Sequence, residues 1–377
     1  MENSNDHIRF DQAKKHMLLL QNIASRFKIE GEIFNIRPLG KGLINDNYLV
    51  ETRNSDSKIN RYVLQRINTN VFKDPLTLQE NIKAITCHIR KILTERNEED
   101  VERKVLTCID ATEGGTTVTH DGQVWRMTLY IADSVTIDDM TPELACTTGE
   151  AFGDFHSMLM TGDTPALAET IPDFHNVPFR IRQLKDAVQN GDKTRIEETQ
   201  DLIAALLERE EEMTLAERLH SKGELPKRIC HCDTKIDNIL FDRDGNVLCV
   251  IDLDTTMPGF VMSDFGDFIR TAGNTGKEDE EDTTKVGLNK DVFKAFAKGY
   301  VKSASFLTDT EKETLAHGAQ RLTYMQTVRF LTDYLNGDVY YKTLYPGHNL
   351  VRTKAQYALL KSIDENINFM NNFIKNL

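Results

Sequence analysis

The feature that most constrains this chain is a change of sequence period near residue 133. Before it, short runs rich in branched and aromatic side chains are divided by polar turns, as strands require. Beyond it, apolar residues recur at helical spacing almost to the end. Segments 33–39, 48–50, 61–67, 105–109 and 123–131 read as strands, with the turn Asp121-Gly122 before the last. Two helices are expected among them. One covers 11–27, where Met17, Leu18, Leu20, Ile23 and Phe27 form a stripe. The other starts at Asp74-Pro75 and carries Leu76, Leu78, Ile82, Ile85, Ile89 and Ile92. After Ala132-Asp133 helices dominate from Pro142 onward, broken by one β-like block at 239–253. Within that half, 193–220 reads as one long charged helix and 276–282 as an exposed acidic loop. The expected architecture is α+β with two lobes: a small β-rich N-lobe, 1–133, and a larger, mainly helical C-lobe, 134–377. A length of 377 residues suits that division.

A net charge of −13 argues against any general affinity for nucleic acid or anionic membrane, whose phosphates need clustered Lys and Arg. No apolar run approaches the roughly 18 residues of a membrane span. The polar start Met1-Glu2-Asn3-Ser4-Asn5-Asp6-His7 lacks the pattern of a secretory signal, so the cytoplasm is the expected compartment. Six cysteines are scattered along the chain. Cys230-His231-Cys232 is too closely spaced for a zinc knuckle, and buried, reduced thiols are expected there.

The chemistry concentrates after residue 230. His231, Asp233 and Asn238 are followed by the apolar run Ile239-Leu240-Phe241, the turn Asp242-Arg243-Asp244-Gly245 and a strand leading to Asp252. An Asp on a tight loop can accept the proton of a substrate hydroxyl, while an Asn five residues on turns back toward a metal. A hairpin later, Asp252 completes the metal site from another direction. Phosphoryl transfer asks for little beyond such positioning and charge neutralisation. The spacing matches H-x-D-x-x-x-x-N of protein-kinase catalytic loops, with Asp252 where their metal-binding Asp stands. His231 is read as structural, and Asp264-Phe265-Gly266 as a decoy, too far past Asn238 to bind that metal.

The chain resembles the aminoglycoside phosphotransferase and choline kinase superfamily, and within it the N-acetylhexosamine 1-kinases. The resemblance rests on Leu64-Gln65-Arg66-Ile67-Asn68-Thr69, Ala151-Phe152-Gly153-Asp154-Phe155, Asp233-Thr234-Lys235, Asn238-Ile239-Leu240 and Ile251-Asp252-Leu253-Asp254-Thr255. It continues through Asp264-Phe265-Gly266-Asp267, Arg329-Phe330-Leu331, Gly337-Asp338-Val339-Tyr340 and His348-Asn349-Leu350-Val351-Arg352, in order along nearly the whole chain. It implies a protein-kinase-like bilobal fold and ATP-dependent phosphorylation of the anomeric hydroxyl of an N-acetylhexosamine. It also implies Asp233 as base, Lys235 as a charge-balancing cation, and Asn238 and Asp252 as ligands of Mg²⁺. Arg329 and Tyr340 would contact the sugar, with Asn45 reaching it from the N-lobe. Adenine would lie against Tyr130, Ile131 and Ala132. Asp254 and Asp267 are read as supporting groups or local caps.

Some positions depart from that pattern. Gly40-Lys41-Gly42-Leu43-Ile44-Asn45 is an incomplete phosphate loop, and Leu43 stands where the sugar kinases carry a His. The third strand has no Lys. Alternation sends Gln65 and Arg66 to opposite faces, and Arg66 is chosen for the phosphates because its charge is fixed. Two other readings remain. One is a kinase of choline, homoserine or an aminoglycoside, for which Asp333, Asp338, Tyr334 and Tyr340 could frame a cation. The other is a non-catalytic pseudokinase, disfavoured because Asp233, Asn238 and Asp252 are all present.

Overall fold

The computed structural model describes residues 2–40, 44–137 and 139–377. The glycine-rich loop, including Leu43, therefore lies largely outside the described residues. The chain forms two compact units, Met1–Ser134 and Val135–Leu377.

The first unit is built on one antiparallel sheet. Its strands are β1 (Glu32–Pro38), β2 (Asp46–Arg53), β3 (Ile59–Arg66), β4 (Thr117–His120) and β5 (Gln123–Leu129), in the order β1-β2-β3-β5-β4. Helix α1 (Glu2–Ala24) contributes Leu20, Ile23 and Ala24 to a core with Val50, Tyr62, Leu64, Trp125 and Met127. Helix α2 (Pro75–Glu95) starts where Asp74 accepts a hydrogen bond from Thr77 N at 3.1 Å, with Pro75 in the first turn. After the one-turn α3 (Val101–Lys104), segment 105–109 does not form the expected strand. It makes only an isolated bridge, Cys108 to Thr128, before the chain turns where Ala111 N meets Gly115 O at 2.9 Å.

In the second unit, α4 (Pro142–Met158) and α5 (Val177–Asn190) precede the charged stretch expected to be one helix. That stretch is four: α6 (Lys193–Glu198), α7 (Gln200–Glu208), α8 (Glu210–Met213) and α9 (Leu215–Ser221). Thr199 and Thr214 sit at two of the breaks, each turning its hydroxyl back to the carbonyl four residues earlier, at 2.7 and 2.9 Å. Two small antiparallel pairs follow. Strand β6 (Arg228–Cys230) pairs with β9 (Met257–Gly259), and β7 (Ile239–Phe241) with β8 (Val247–Val250); the first pair falls outside the expected block. Helices α10 (Val261–Thr271), α11 (Lys290–Ser303), α12 (Asp309–Leu335) and α13 (His348–Lys375) complete the unit.

What positions the site is the crossing of α10 on α12. A Cβ on Gly266 would stand 2.0 Å from the Gly318 carbonyl oxygen, and one on Gly318 would stand 1.8 Å from that of Met262. The two backbones touch, so α10 is fixed against α12 with little freedom to slide. On its other side Phe265 and Phe268 are fully buried, and Phe268 stacks on Phe296 at 3.8 Å. Each such ring contributes about 1.5–3 kcal/mol by burial. The acidic loop is tied down in part, Glu278 to Arg270 and Asp279 to His348. Among the described residues no helix is long and apolar enough to cross a membrane.

Candidate active site

Strand β6 delivers the chain into the loop His231–Lys235, and a 3₁₀ turn, Ile236–Asn238, leads into β7. Cys232 takes a left-handed conformation, φ 61°, which a non-glycine residue adopts only when its surroundings enforce it. The enforcement comes from α10. One oxygen of Asp264 accepts from His231 N at 2.6 Å and the other from Cys232 N at 2.9 Å. Its hold is completed by His156 Nε2 at 2.9 Å, and His156 is fixed in turn by the Tyr300 hydroxyl at 2.9 Å. One turn along α10, Asp267 accepts from Thr234 N at 3.1 Å and from Arg270 Nε at 2.9 Å. Two carboxylates at i and i+3 on one helix face thus hold three backbone N–H groups of the loop.

Asp264-Phe265-Gly266, read as a decoy for the metal motif, has a structural part in the site. Asp264 clamps the loop, and Gly266 permits the helix crossing that puts the clamp there. Asp267 acts as expected of a supporting group. Asp254 is buried, with its carbonyl oxygen accepting from Thr170 Oγ1 at 2.8 Å.

With the loop fixed, three expected residues come together. Lys235 Nζ lies 2.7 Å from Asp233 Oδ2, and Asn238 Nδ2 donates to Asp233 Oδ2 at 2.9 Å and to its carbonyl oxygen at 2.8 Å. Burial alone would push the Asp233 carboxyl up, but the Lys235 ammonium and the Asn238 amide hold it below its ordinary value. Lys235 moves up, its burial outweighed by Asp233, with Asp252 adding to the effect. Because Asn238 spends its amide hydrogens on Asp233, its Oδ1 carries no hydrogen bond from the described residues.

Asp252 is brought close by the hairpin. The N–H of Ile251 donates to Asn238 O at 2.9 Å, and Asp252 follows at φ 59° in the left-handed region. Asn238 immediately precedes β7 and Asp252 follows its partner β8, and an amide oxygen and a carboxylate are hard-oxygen donors of the kind Mg²⁺ takes. His231 is structural: its Nε2 meets Ile251 O at 2.9 Å, and burial pushes the imidazole down, leaving it neutral. Cys230 and Cys232 are buried thiols.

Farther along the second unit, Arg329 lies with its guanidinium 5.4, 5.9 and 5.5 Å from the ring centres of Phe174, Tyr340 and Tyr341. Tyr340 is largely exposed. Asp333 accepts from the N–H groups of Val339, Tyr340 and Tyr341 and from Asn349, so this carboxylate builds the turn beneath those tyrosines. Asp338 is likewise engaged, by Arg195 and Asn349.

In the first unit, Asn45 is buried and its Oδ1 accepts from Asn68 N at 3.0 Å. Gln65 and Arg66 do face opposite ways. Arg66 forms an ion pair with Asp46 and borders a cavity of about 140 Å³ beside α1, with His16, Tyr48 and Trp125. Gln65 donates to Asn47 and accepts from Arg126, both at 2.9 Å. At the end of β5 the N–H of Tyr130 is committed to Arg61 O at 3.0 Å. The carbonyls of Ile131 and Ala132 accept from Ser134 Oγ at 2.8 Å and Arg103 Nε at 3.1 Å. The Tyr130 carbonyl and the N–H groups of Ile131 and Ala132 make no backbone hydrogen bond among the described residues.

A five-stranded antiparallel sheet unit, a mainly helical unit, and an Asp–Lys–Asn centre backed by an Asp on a hairpin define a kinase-type phosphotransferase. The sequence bears this out, since the model of the phosphotransferase enzyme family APH matches residues 35–291. The chain belongs to that family and transfers a phosphoryl group to an alcohol acceptor. Solved structures agree in fold. An aminoglycoside phosphotransferase from Alicyclobacillus acidocaldarius aligns over 95% of this chain and 96% of its own, at 12% identity and a TM-score of 0.61. The amicoumacin kinase hAmiN, solved with AMP-PNP, Ca²⁺ and Ami, aligns over 94% and 96%, at 13% identity and 0.56. An ethanolamine kinase from Plasmodium vivax aligns over 86% and 82%, at 12% identity and 0.52.

Proposed function

We propose that the protein is an ATP-dependent N-acetylhexosamine 1-kinase. The sugar's anomeric O–H gives its proton to Asp233 as its oxygen attacks the γ-phosphorus. The bond from that phosphorus to the β,γ-bridging oxygen breaks, ADP leaves with the electron pair, and the product is the sugar 1-phosphate. Lys235 balances charge on the moving phosphoryl group. Asn238 and Asp252 would hold Mg²⁺, which when bound neutralises the phosphates. Adenine rests against the carbonyl of Tyr130 and the N–H groups of Ile131 and Ala132. Arg329, Tyr340 and Asn45 address the sugar. An Arg66 contact to the phosphates requires its guanidinium to leave Asp46. Exposed pairs of this kind are worth about 0–1 kcal/mol, so the exchange costs little.

The observation that carries the substrate reading is the state of Asp333 and Asp338. A choline, ethanolamine or aminoglycoside kinase needs carboxylates facing a cation. Here both are occupied by backbone N–H groups, Asn349 and Arg195, while a guanidinium, Arg329, stands among the aromatic rings. The test is an ADP-release assay with ATP and Mg²⁺ against N-acetylglucosamine, N-acetylgalactosamine, plain hexoses, choline and aminoglycosides, with the phosphate position read by ³¹P NMR. Turnover of an N-acetylhexosamine to its 1-phosphate is expected. Turnover of choline or an antibiotic with none of the acetamido sugars overturns the proposal.

A further inference from the structure

In a chain of net charge −13, an arginine without a carboxylate partner stands out. Within the second unit Arg195, Arg209, Arg228, Arg270 and Arg321 each meet at least one carboxylate. Among the described residues Arg180 and Arg329 form no ion pair; nor do Arg182, which is exposed, and Arg352, which donates to Asn349 and the Lys342 carbonyl. Arg180 donates to Gln183 Oε1 at 2.9 Å and to the Phe174 carbonyl at 3.1 Å, and its buried Nε has no hydrogen-bond partner. Arg329 donates to Gln326 Oε1 at 3.1 Å and otherwise faces rings. The two lie close enough to oppose each other. Burial first, and then the Arg329 charge, bring Arg180 down to about 10. Asp173 acts on Arg180 through its charge but forms no ion pair with it, and a partly desolvated guanidinium with an unfilled donor favours acceptor oxygens from elsewhere.

His175 belongs to the same cluster. Its ring stacks on Phe174 at 4.7 Å and 13°, the Arg329 guanidinium lies over that same Phe174, and Arg180 holds the Phe174 carbonyl. Arg321 donates to the His175 carbonyl at 2.9 Å, which fixes its backbone. Among the described residues the ring makes no hydrogen bond, and its buried Nδ1 has no partner. Burial pushes the imidazole down to about 3, so it is neutral and offers one donor and one acceptor. Asp264, Arg329, Arg321 and Asp233 all act on this ring through their charges.

We propose that Arg180 and His175 join Arg329 as the specificity subsite for the acceptor, reading a carbonyl-type oxygen (the amide of an N-acyl sugar or a carboxylate) and repelling cationic alcohols. The inference rests on the reading of Asp233 as the base that faces the acceptor, and it deepens the proposed function by adding residues to its substrate site. Two guanidiniums supply donors to such an oxygen. The neutral imidazole pairs with a neighbouring hydroxyl without adding charge.

The test uses the full-length protein and two variants. His175→Phe keeps the stack on Phe174 and removes both ring nitrogens. Arg180→Lys keeps the charge but loses the planar fork of donors. Wild type and variants are assayed for KM of acceptor and of ATP, with acceptor binding in the presence of AMP-PNP followed by saturation-transfer NMR. The acceptors are N-acetylglucosamine, N-acetylgalactosamine, glucuronate, glucosamine and choline. The acceptor KM should rise about tenfold or more for Arg180→Lys, the scale of a lost hydrogen bond to a charged group, and about fivefold for His175→Phe, the scale of a lost neutral one, with the KM for ATP and the melting temperature little changed. Preference for acetamido sugars identifies the amide as the oxygen read, and preference for glucuronate identifies the carboxylate. In the second case the N-acetylhexosamine reading fails while the subsite stands. If acetamido sugars are turned over but both variants keep the wild-type acceptor KM, the subsite is wrong and the function stands. Preferred turnover of choline or glucosamine, or binding of none of the panel, overturns both.

Discussion

The arrangement of α10 makes a quantitative demand on Asp264. Replacing it by Asn keeps the shape but leaves one acceptor oxygen where two served His231 N, Cys232 N and His156. The amide NH₂ must then face a backbone N–H, so at least one buried donor is orphaned and another contact loses its charge. Hydrogen bonds to a charged group are worth about 1.5–3 kcal/mol each. Relaxation of Cys232 from φ 61° returns on the order of 1 kcal/mol of strain. Two weakened contacts less that relief give a loss of about 2–5 kcal/mol. At 2–4 °C per kcal/mol for a unit of this size, the melting temperature should fall by at least about 4 °C. The loop that carries Asp233 relaxes with it, and a displacement near 1 Å can cost roughly a hundredfold in turnover. Circular-dichroism melting and ADP-release kinetics on Asp264→Asn measure both. A melting temperature within about 2 °C of wild type, together with kcat within about threefold, would refute the clamp.

Three other outcomes follow from the same geometry. Asp233→Asn should lower kcat by on the order of a hundredfold or more, with nucleotide binding retained; surviving turnover would mean another base. Asp233 sits below its ordinary 3.8, so it is ionised at neutral pH and its loss of activity on acidification falls below that value. Lys235→Met removes the cation that opposes burial, raises the Asp233 carboxyl and should move the acid limb of the kcat–pH profile upward; an unmoved limb argues against the coupling. Gly318→Ala places a methyl 1.8 Å from the Met262 carbonyl oxygen, so α10 and α12 must separate. Loss of soluble protein or a melting temperature lower by at least about 5 °C is expected, and a wild-type melt would contradict the tight crossing.

The sequence carried the α+β division, most of the N-terminal strands and the Asp233–Asn238–Asp252 order because each is encoded locally, by alternation, turn residues and fixed spacing. What it hid was encoded across distance. Asp264 lies more than thirty residues from the amides it holds, and its Asp-Phe-Gly setting offered a misleading local match. An i, i+3 pair of acids, Asp264 and Asp267, among the apolar residues Val261, Met262, Phe265, Phe268 and Ile269 was the available signal. Segment 193–220 is periodic enough for one helix, but Thr199 and Thr214 each had a competing hydroxyl bond that periodicity does not register. Residues 105–109 had strand composition but found only one bridge. The proposed roles of Arg180 and His175 depend on the approach of Arg329 to Phe174, far away along the chain, and no pattern of neighbours records that.

The thiols that flank His231 bear on how this enzyme would fare under oxidation. Cys230 and Cys232 are buried, and burial pushes both thiols well above their ordinary value. Only the thiolate attacks peroxides and alkylating agents. The loop that carries Asp233 is thus shielded from that chemistry, whereas Cys87 is exposed on α2. Brief treatment with iodoacetamide should mark Cys87 first and leave phosphoryl transfer running, so cysteines beside Asp233 need not make a kinase sensitive to redox stress.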